Sequence, residues 1–344
     1  MMKRETPPKI SFFESDAEKV IAEIGKPTLL QHLKSMLLIR NFEIRAESAY
    51  LQGKVGGFFH SYMGQEAIQT AAVGVMGKEQ WWATSYRCHA LALLLGATPN
   101  ELMAELYGKS TGNAKGRGGS MHFFTEHLLG GFGIVCGQVP IATGAGFTIK
   151  YLKQKDKVSV CFLGEGAVPQ GAFHESLNLA SLWDLPCIYV IENNHWGMGT
   201  AASRAVAADR IAEKLAVGYD MKSYTLDGMD FFNSYAGFRH AFAEVKSTQR
   251  PVLIEAITER FRGHSISDPG LYRSKEELQH CMERDPISIF FKTLASFGLI
   301  NDSEYQALDK EQKEIAVAAM KYAEESPWPD PINLGTDVYA PATR

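Results

Sequence analysis

The stretch KVSVCFLGEGAVPQGAFHESLNLASLWDLPCIYVIENN, residues 157–194, decides the fold. KVSVCF (157–162) reads as an apolar run suited to a strand buried on both faces, residues 170–183 carry apolar side chains at helical spacing, and PCIYVIE (186–192) is a second buried run. Together they make a βαβ unit. A right-handed crossover renders its two strands parallel, so the turns that follow them emerge at one edge of the sheet. Glu165 follows the first strand and Asn194 the second, which predicts that they are neighbours in space. A carboxylate, a carboxamide and the backbone carbonyls of the second turn are hard oxygen donors, the kind magnesium takes while keeping positions open for phosphate. The N–H groups of Gly166 and Ala167, at the start of the next helix, suit a diphosphate. Taken singly, Glu165 also fits an acid favoured by a helix dipole, and Asn193-Asn194 a turn pair. Neither reading accounts for the pairing across the intervening helix.

Moving outward, the pattern repeats once: residues 231–247 are helical and PVLIEAIT (251–258) is a strand. Upstream, Leu29, Leu30, Leu33, Met36, Leu37 and Phe42 recur at helical spacing in a long helix between Thr28, a candidate N-cap, and Gly53. A second helix covers residues 65–76. TPNEL at 98 is a capping box, with Thr98, Pro99 in the first turn and Glu101 three residues on. Residues 108–146 hold eleven glycines, which predicts loops where backbone approaches something closely rather than core, until a helix begins near Val139. Beyond Asp285 the chain reads as polar helices and a Pro-rich tail. The expected organisation is an N-terminal extension and helix (1–55), an α/β domain with a mostly parallel sheet flanked by helices (56–284) and a C-terminal helical segment (285–344).

At 344 residues and 45% hydrophobic content the chain can bury a large core. A net charge of −4 gives no global attraction to nucleic acid or anionic membrane, and no apolar run approaches a membrane span. The five cysteines are widely spaced without metal-ligand spacing, and read as reduced core residues. The N-terminus lacks both the apolar core of a signal peptide and the acid-poor character of a transit peptide, so the expected location is cytoplasmic. No G-x-G-x-x-G turn joins an early strand to a helix, and GKSTGNAKGRGG fails P-loop spacing, which argues against a nucleotide-binding dehydrogenase or an ATPase.

GEG followed by ENN resembles the thiamine-diphosphate fingerprint. FFHSYMGQEA, TSYRCHA, AKGRGGSMH, GFGIVCGQVP and RFRGHSISDPGLYR extend the likeness, in order, over about 210 residues. By these segments nearly the whole chain resembles the alpha subunits of the decarboxylating component of 2-oxo acid dehydrogenase complexes. The resemblance implies a thiamine-diphosphate-binding fold. It implies that the Glu165 and Asn194 side chains and the Trp196 carbonyl bind magnesium, that Gly166 and Ala167 hold the diphosphate, and that Tyr86 and Arg87 reach its oxygens. Gly133 and Val135 would meet the aminopyrimidine ring through main chain, and His60 and His264 would face the 2-oxo acid, with His264 also touching cofactor. His89 and His122 match the pattern as either catalytic or loop-supporting residues. Ser265 occupies a position phosphorylated in related proteins.

The resemblance further implies half a site. The carboxylate that activates the cofactor belongs to a beta subunit in this family, so an assembly of two alpha and two beta chains is expected, delivering acyl groups to a lipoyl-bearing acyltransferase. Glu165, Pro169, Phe132 and Trp196 depart from the residues usual at those positions. Glu165 in particular is shared with branched-chain members, whereas GHSISDPGLYR and LNLASLWDLPCIYVIENN are closer to pyruvate members. Pyruvate is therefore the expected substrate, with a branched-chain 2-oxo acid or acetoin as alternatives, and a non-catalytic scaffold of the same fold as the rival from another class.

Overall fold

The computed structural model describes residues 10–336 and 338. Six parallel strands form the main sheet: β1 (Trp81–Ser85), β2 (Leu128–Phe132), β3 (Ser159–Gly164), β4 (Cys187–Asn193), β7 (Lys222–Asp227) and β8 (Val252–Ile257), in the order β2-β1-β3-β4-β8-β7. A separate two-stranded ribbon pairs β5 (Trp196–Gly197) with β6 (Thr200–Ala201). The predicted βαβ unit is present, with the Gly171–Leu182 helix crossing from β3 to β4.

Alternation along the central strands sorts side chains into two cores. Val160, Phe162, Ile188, Val190, Val252 and Ile254 face one layer, and Cys161, Leu163, Tyr189, Ile191 and Leu253 face the other. The first layer is covered by the Lys26–Leu51, Glu66–Met76 and Phe231–Thr248 helices, and also takes in Ile287, Phe290, Leu294, Ala319 and Ala323 from the C-terminal helices. The second is covered by the Gln138–Tyr151, Gly171–Leu182 and Ile211–Val217 helices. Trp82 and Phe162 stack in the first core with ring centroids 6.2 Å apart. Each such fully buried side chain contributes ~1.5–3 kcal/mol relative to exposure. Arg40 joins three segments by ion-pairing with Glu66 at 2.6 Å and Asp285 at 2.9 Å. All five cysteines are free and buried.

The structure corrects three expectations. The long helix begins at Lys26 with Gly25 as N-cap and Pro27 in its first turn, so Thr28 already lies inside it. The glycine-rich region contains an edge strand, β2, and contributes the fully buried Phe123 to the core. Gly131 is required there because a Cβ would lie 2.5 Å from the Cys88 sulfur. Finally, β1 and β7 have no counterpart in the sequence reading. WWATS is too short to show a period, and KSYTLD is a half-exposed edge strand that owes its place to pairing with β8. The capping box holds as read: Glu101 N–H donates to Thr98 Oγ1 at 3.2 Å, and Thr98 N–H to Glu101 Oε2 at 3.0 Å.

Candidate active site

Parallel strands present their carboxyl ends at one edge, and five of the six deliver candidate residues there. Tyr86 and Arg87 follow β1, Gly133 and Val135 follow β2, Glu165 to Ala167 follow β3, Asn194 and Trp196 follow β4, and His264 lies in the loop after β8. Between β1 and β3 the chain reverses the direction in which it adds strands, the switch point where an open α/β sheet forms a ligand crevice. His60 arrives from the segment before the Glu66–Met76 helix. Gly64 makes this approach possible: its φ is +99°, and a Cβ would lie 2.4 Å from the Glu259 carbonyl oxygen.

The predicted meeting of Glu165 and Asn194 is observed, with the Asn194 N–H donating to Glu165 Oε2 at 3.2 Å. Glu165 is only 1% exposed, and its other oxygen, Oε1, has no hydrogen-bond partner. Burial pushes this carboxyl above its usual range; hydrogen bonds from its own N–H and that of Asn194 oppose the shift. A buried carboxylate oxygen that accepts no hydrogen bond is chemically suited to a hard cation. The Asn194 carboxamide donates to Gln65 Oε1 at 3.4 Å, while its oxygen accepts from Trp196 N–H at 3.4 Å. His195 adopts φ +69° and Met198 φ +55°, folding the turn back through the β5–β6 ribbon. Gly197 thereby approaches Gly166 so closely that a Cβ on Gly166 would stand 3.3 Å from the Gly197 Cα. Among the described residues no cluster of three or more His, Cys, Asp or Glu is placed to hold a metal. The Glu165 set, with one carboxylate, one carboxamide and one carbonyl, is of a different kind.

Three rings cluster at the same sheet edge. His60 and Tyr86 centroids are 4.3 Å apart, His60 and His264 5.1 Å, and Tyr86 and His264 5.5 Å. Burial, reinforced by the nearby Arg87 charge, pushes His60 down to about 2 and His264 down to about 3, so both imidazoles are neutral near pH 7. Arg260 donates to His264 Nδ1 at 3.3 Å, which leaves the His264 proton on Nε2 as a donor. His60 Nδ1 has no partner.

Arg87 is buried with its fork already engaged, Nη1 donating to the Ser61 carbonyl at 2.7 Å and Nη2 to the His264 carbonyl at 2.6 Å. It therefore clamps the two histidine-bearing segments together. His89 is fully buried, bonded to Glu43 at 3.0 Å and to the Ser120 hydroxyl at 2.9 Å, a loop support. His122 meets the Gly131 carbonyl at 3.0 Å and lies where a Cβ on Gly133 would contact it at 3.3 Å. Val135 is 46% exposed, and Ser265 is buried with its hydroxyl 3.0 Å from that of Ser267.

Sequence reasoning did not single out Arg260. Its guanidinium donates to the Trp196 carbonyl at 3.1 Å and to the Tyr272 hydroxyl at 2.7 Å, joining the turn after β4 to the loop after β8. Its position four residues before His264 in RFRGHS was the available signal. Glu192 was also passed over. It is fully buried beneath the site, accepts from Gln69 Nε2 at 3.2 Å and from the Tyr62 hydroxyl, and is pushed up to about 7 by burial.

The sequence pattern of the dehydrogenase E1 component family matches residues 34–332. A Rickettsia conorii protein named pyruvate dehydrogenase E1 component subunit alpha is 43% identical over 321 residues, covering 91% of this chain and 97% of the relative. The protein of that name from Rhizobium meliloti is 40% identical, covering 92% of each chain. The mitochondrial one from Schizosaccharomyces pombe is 36% identical, covering 96% of this chain and 81% of the relative. With the family pattern spanning most of its length and relatives this similar end to end, the chain belongs to the dehydrogenase E1 component family.

Proposed function

We propose that the chain is the alpha subunit of a pyruvate dehydrogenase, which decarboxylates pyruvate with thiamine diphosphate and magnesium and passes the acetyl group to a lipoyl arm. The observation that carries the reading is the unpartnered Glu165 Oε1, buried beside Asn194 at the switch point of the sheet. In this reading Glu165, the Asn194 oxygen and the Trp196 carbonyl hold magnesium, and the N–H groups of Gly166 and Ala167 face the diphosphate. Tyr86 lies on the same side, and Arg87 adds its fixed charge while clamping the two histidine segments. Gly133 and Val135 offer main chain to the aminopyrimidine. Thiamine diphosphate, when bound, supplies the electron sink that decarboxylation of a 2-oxo acid requires.

The chain's own contribution is binding, orientation and control of protons. His60 and His264, neutral and close together, donate hydrogen bonds towards the oxo acid rather than presenting charge, and the His264 proton on Nε2 is available for that purpose. The activating carboxylate is assigned to a beta partner in an assembly of two alpha and two beta chains, which delivers to a lipoyl-bearing acyltransferase. An exposed apolar group, Ile141, Phe147, Tyr151, Leu182 and Trp183, supports a chain that buries surface against partners. No helix among the described residues is long and apolar enough to cross a membrane. A cytoplasmic location is part of the same proposal.

The test is decarboxylation by this chain co-purified with its beta subunit, with and without thiamine diphosphate and magnesium, offering pyruvate and 3-methyl-2-oxobutanoate separately. Cofactor-dependent preference for pyruvate is expected. Preference for the branched acid would reassign the substrate, and cofactor binding without turnover of either would move the reading to acetoin.

A further inference from the structure

Asn193, the residue before Asn194, is held by a carboxylate from a different strand. Glu255 sits on β8, 2% exposed, directly across the sheet from Ile191. Its Oε1 accepts from Asn193 Nδ2 at 2.7 Å, and its Oε2 accepts from the Ala212 N–H, in the first turn of the Ile211–Val217 helix, at 3.0 Å. With its nitrogen committed to Glu255, the Asn193 carboxamide turns its oxygen to the His195 N–H, which donates at 3.0 Å. The Asn193 backbone carbonyl accepts from Thr258 N–H at 2.9 Å. The left-handed His195 and the Asn194 and Trp196 oxygens on either side of it thus depend on which way the Asn193 amide faces.

We propose that Glu255 is a positioning residue for the magnesium site, acting through the Asn193 carboxamide to set the turn that presents the Asn194 side chain and the Trp196 carbonyl. The inference rests on the proposed metal site and adds a residue that touches neither metal nor cofactor. Two donors converge on Glu255, so both of its oxygens must accept. A glutamine offers one oxygen and must turn its NH2 against either Ala212 N–H or the Asn193 amide. Partners behind metal ligands are worth roughly 10- to 100-fold in metal affinity.

The hydrogen-bond logic supplies its own rescue. In Glu255→Gln combined with Asn193→Asp, the new amide nitrogen donates to the new carboxylate, its oxygen still accepts from Ala212, and the second carboxylate oxygen still accepts from His195. Charge and bond count are both preserved. The experiment titrates magnesium into the assembly of this chain with its beta subunit at fixed thiamine diphosphate. Cofactor binding is read by tryptophan fluorescence, turnover is read separately, and thermal melts accompany each variant. Glu255→Gln is expected to raise half-saturating magnesium by about tenfold or more, with turnover at saturating magnesium within about threefold of the parent, and the double variant is expected to return half-saturation to within about threefold. An unshifted half-saturation in Glu255→Gln overturns the inference, as does a double variant that melts like the parent yet stays tenfold weak. If the single variant fails to assemble, the double variant alone decides by the same criterion. Glu165→Gln separates the two levels. If it leaves magnesium dependence unchanged, the metal site itself is wrong, whereas if it weakens magnesium and Glu255→Gln does not, only the present inference fails.

Discussion

The turns after β3 and β4 and the loop after β8 meet at one crevice but are built differently. The first two continue strands that are buried along almost their whole length, and Glu165 and Asn194 are fixed within a residue or two of the last ladder bonds. The loop carrying His264 runs through residues 262–274 without regular structure. It is tied by charged groups: Asp268 accepts from the His264 N–H at 2.6 Å and the Tyr272 hydroxyl at 2.7 Å, and Arg273 donates to the carbonyls of Arg260 and Arg262, each at 2.7 Å. In the proposed function the scaffold-borne turns anchor the cofactor, and the substrate-facing histidine lies in a loop held by side-chain hydrogen bonds rather than by the sheet.

The largest effect should come from breaking the rigid side. Glu165→Ala is expected to reduce cofactor-dependent turnover by more than about 100-fold, exceeding what loss of a supporting residue costs, while circular dichroism and the melting temperature stay close to the parent. Unchanged turnover at saturating magnesium would remove Glu165 from the site. Next, Asp268→Asn should untie the loop. Turnover is expected to fall about tenfold and cleavage by a protease within residues 262–274 to accelerate, with magnesium dependence unaltered. A shift in magnesium dependence here would show that the two regions are not separable.

Proton linkage gives the two regions opposite signs. Glu192, beneath the rigid turn, is raised from 4.5 to about 7, so between those values the folded state holds more protons than the unfolded. Its contribution is present at low pH and is lost as pH rises through 7. Glu192→Gln, which keeps an acceptor for Gln69 and Tyr62, should therefore melt higher than the parent above pH 8 and differ little near pH 5. His264 is lowered from 6.5 to about 3, so the unfolded state binds more protons in that window and stability falls as pH drops below 6.5. His264→Gln should blunt that acid loss. Equal slopes in parent and variants would show that neither group titrates as its burial dictates. The smallest effect is reserved for a feature in neither region: Thr98→Ala, which removes the cap of the Pro99–Leu106 helix, should cost ~1 kcal/mol by denaturant unfolding and leave turnover alone.

Legibility followed the same division. The βαβ unit, the long N-terminal helix and the capping box could be read because apolar periodicity and cap chemistry are local signals. The Glu165–Asn194 contact could be read because crossover handedness turns a sequence pattern into a spatial one. β1, β2 and β7 could not: WWATS and LLGGF are five residues each and carry no period, and their strand identity comes from neighbours. The contacts of Arg260 and Glu255 were hidden for a related reason. Each acts on a partner more than sixty residues away, Arg260 on the Trp196 carbonyl and Glu255 on Asn193, and RFRGHS, which sets Arg260 near His264 in the chain, says nothing of the Trp196 turn.

By itself, the sequence determined a parallel α/β unit with a carboxylate and a carboxamide at one sheet edge, because strand burial, helix periodicity and the handedness of a crossover are short-range consequences of L-residue sterics and apolar patterning. Only the tertiary structure decided that Glu165 keeps an unpartnered oxygen, that Arg87 spends its fork on two backbone carbonyls, and that His60 and His264 are neutral. Those are matters of which distant groups exclude water and which donors lie within bonding distance, and they are set when five strand ends and the His60 segment close on one crevice.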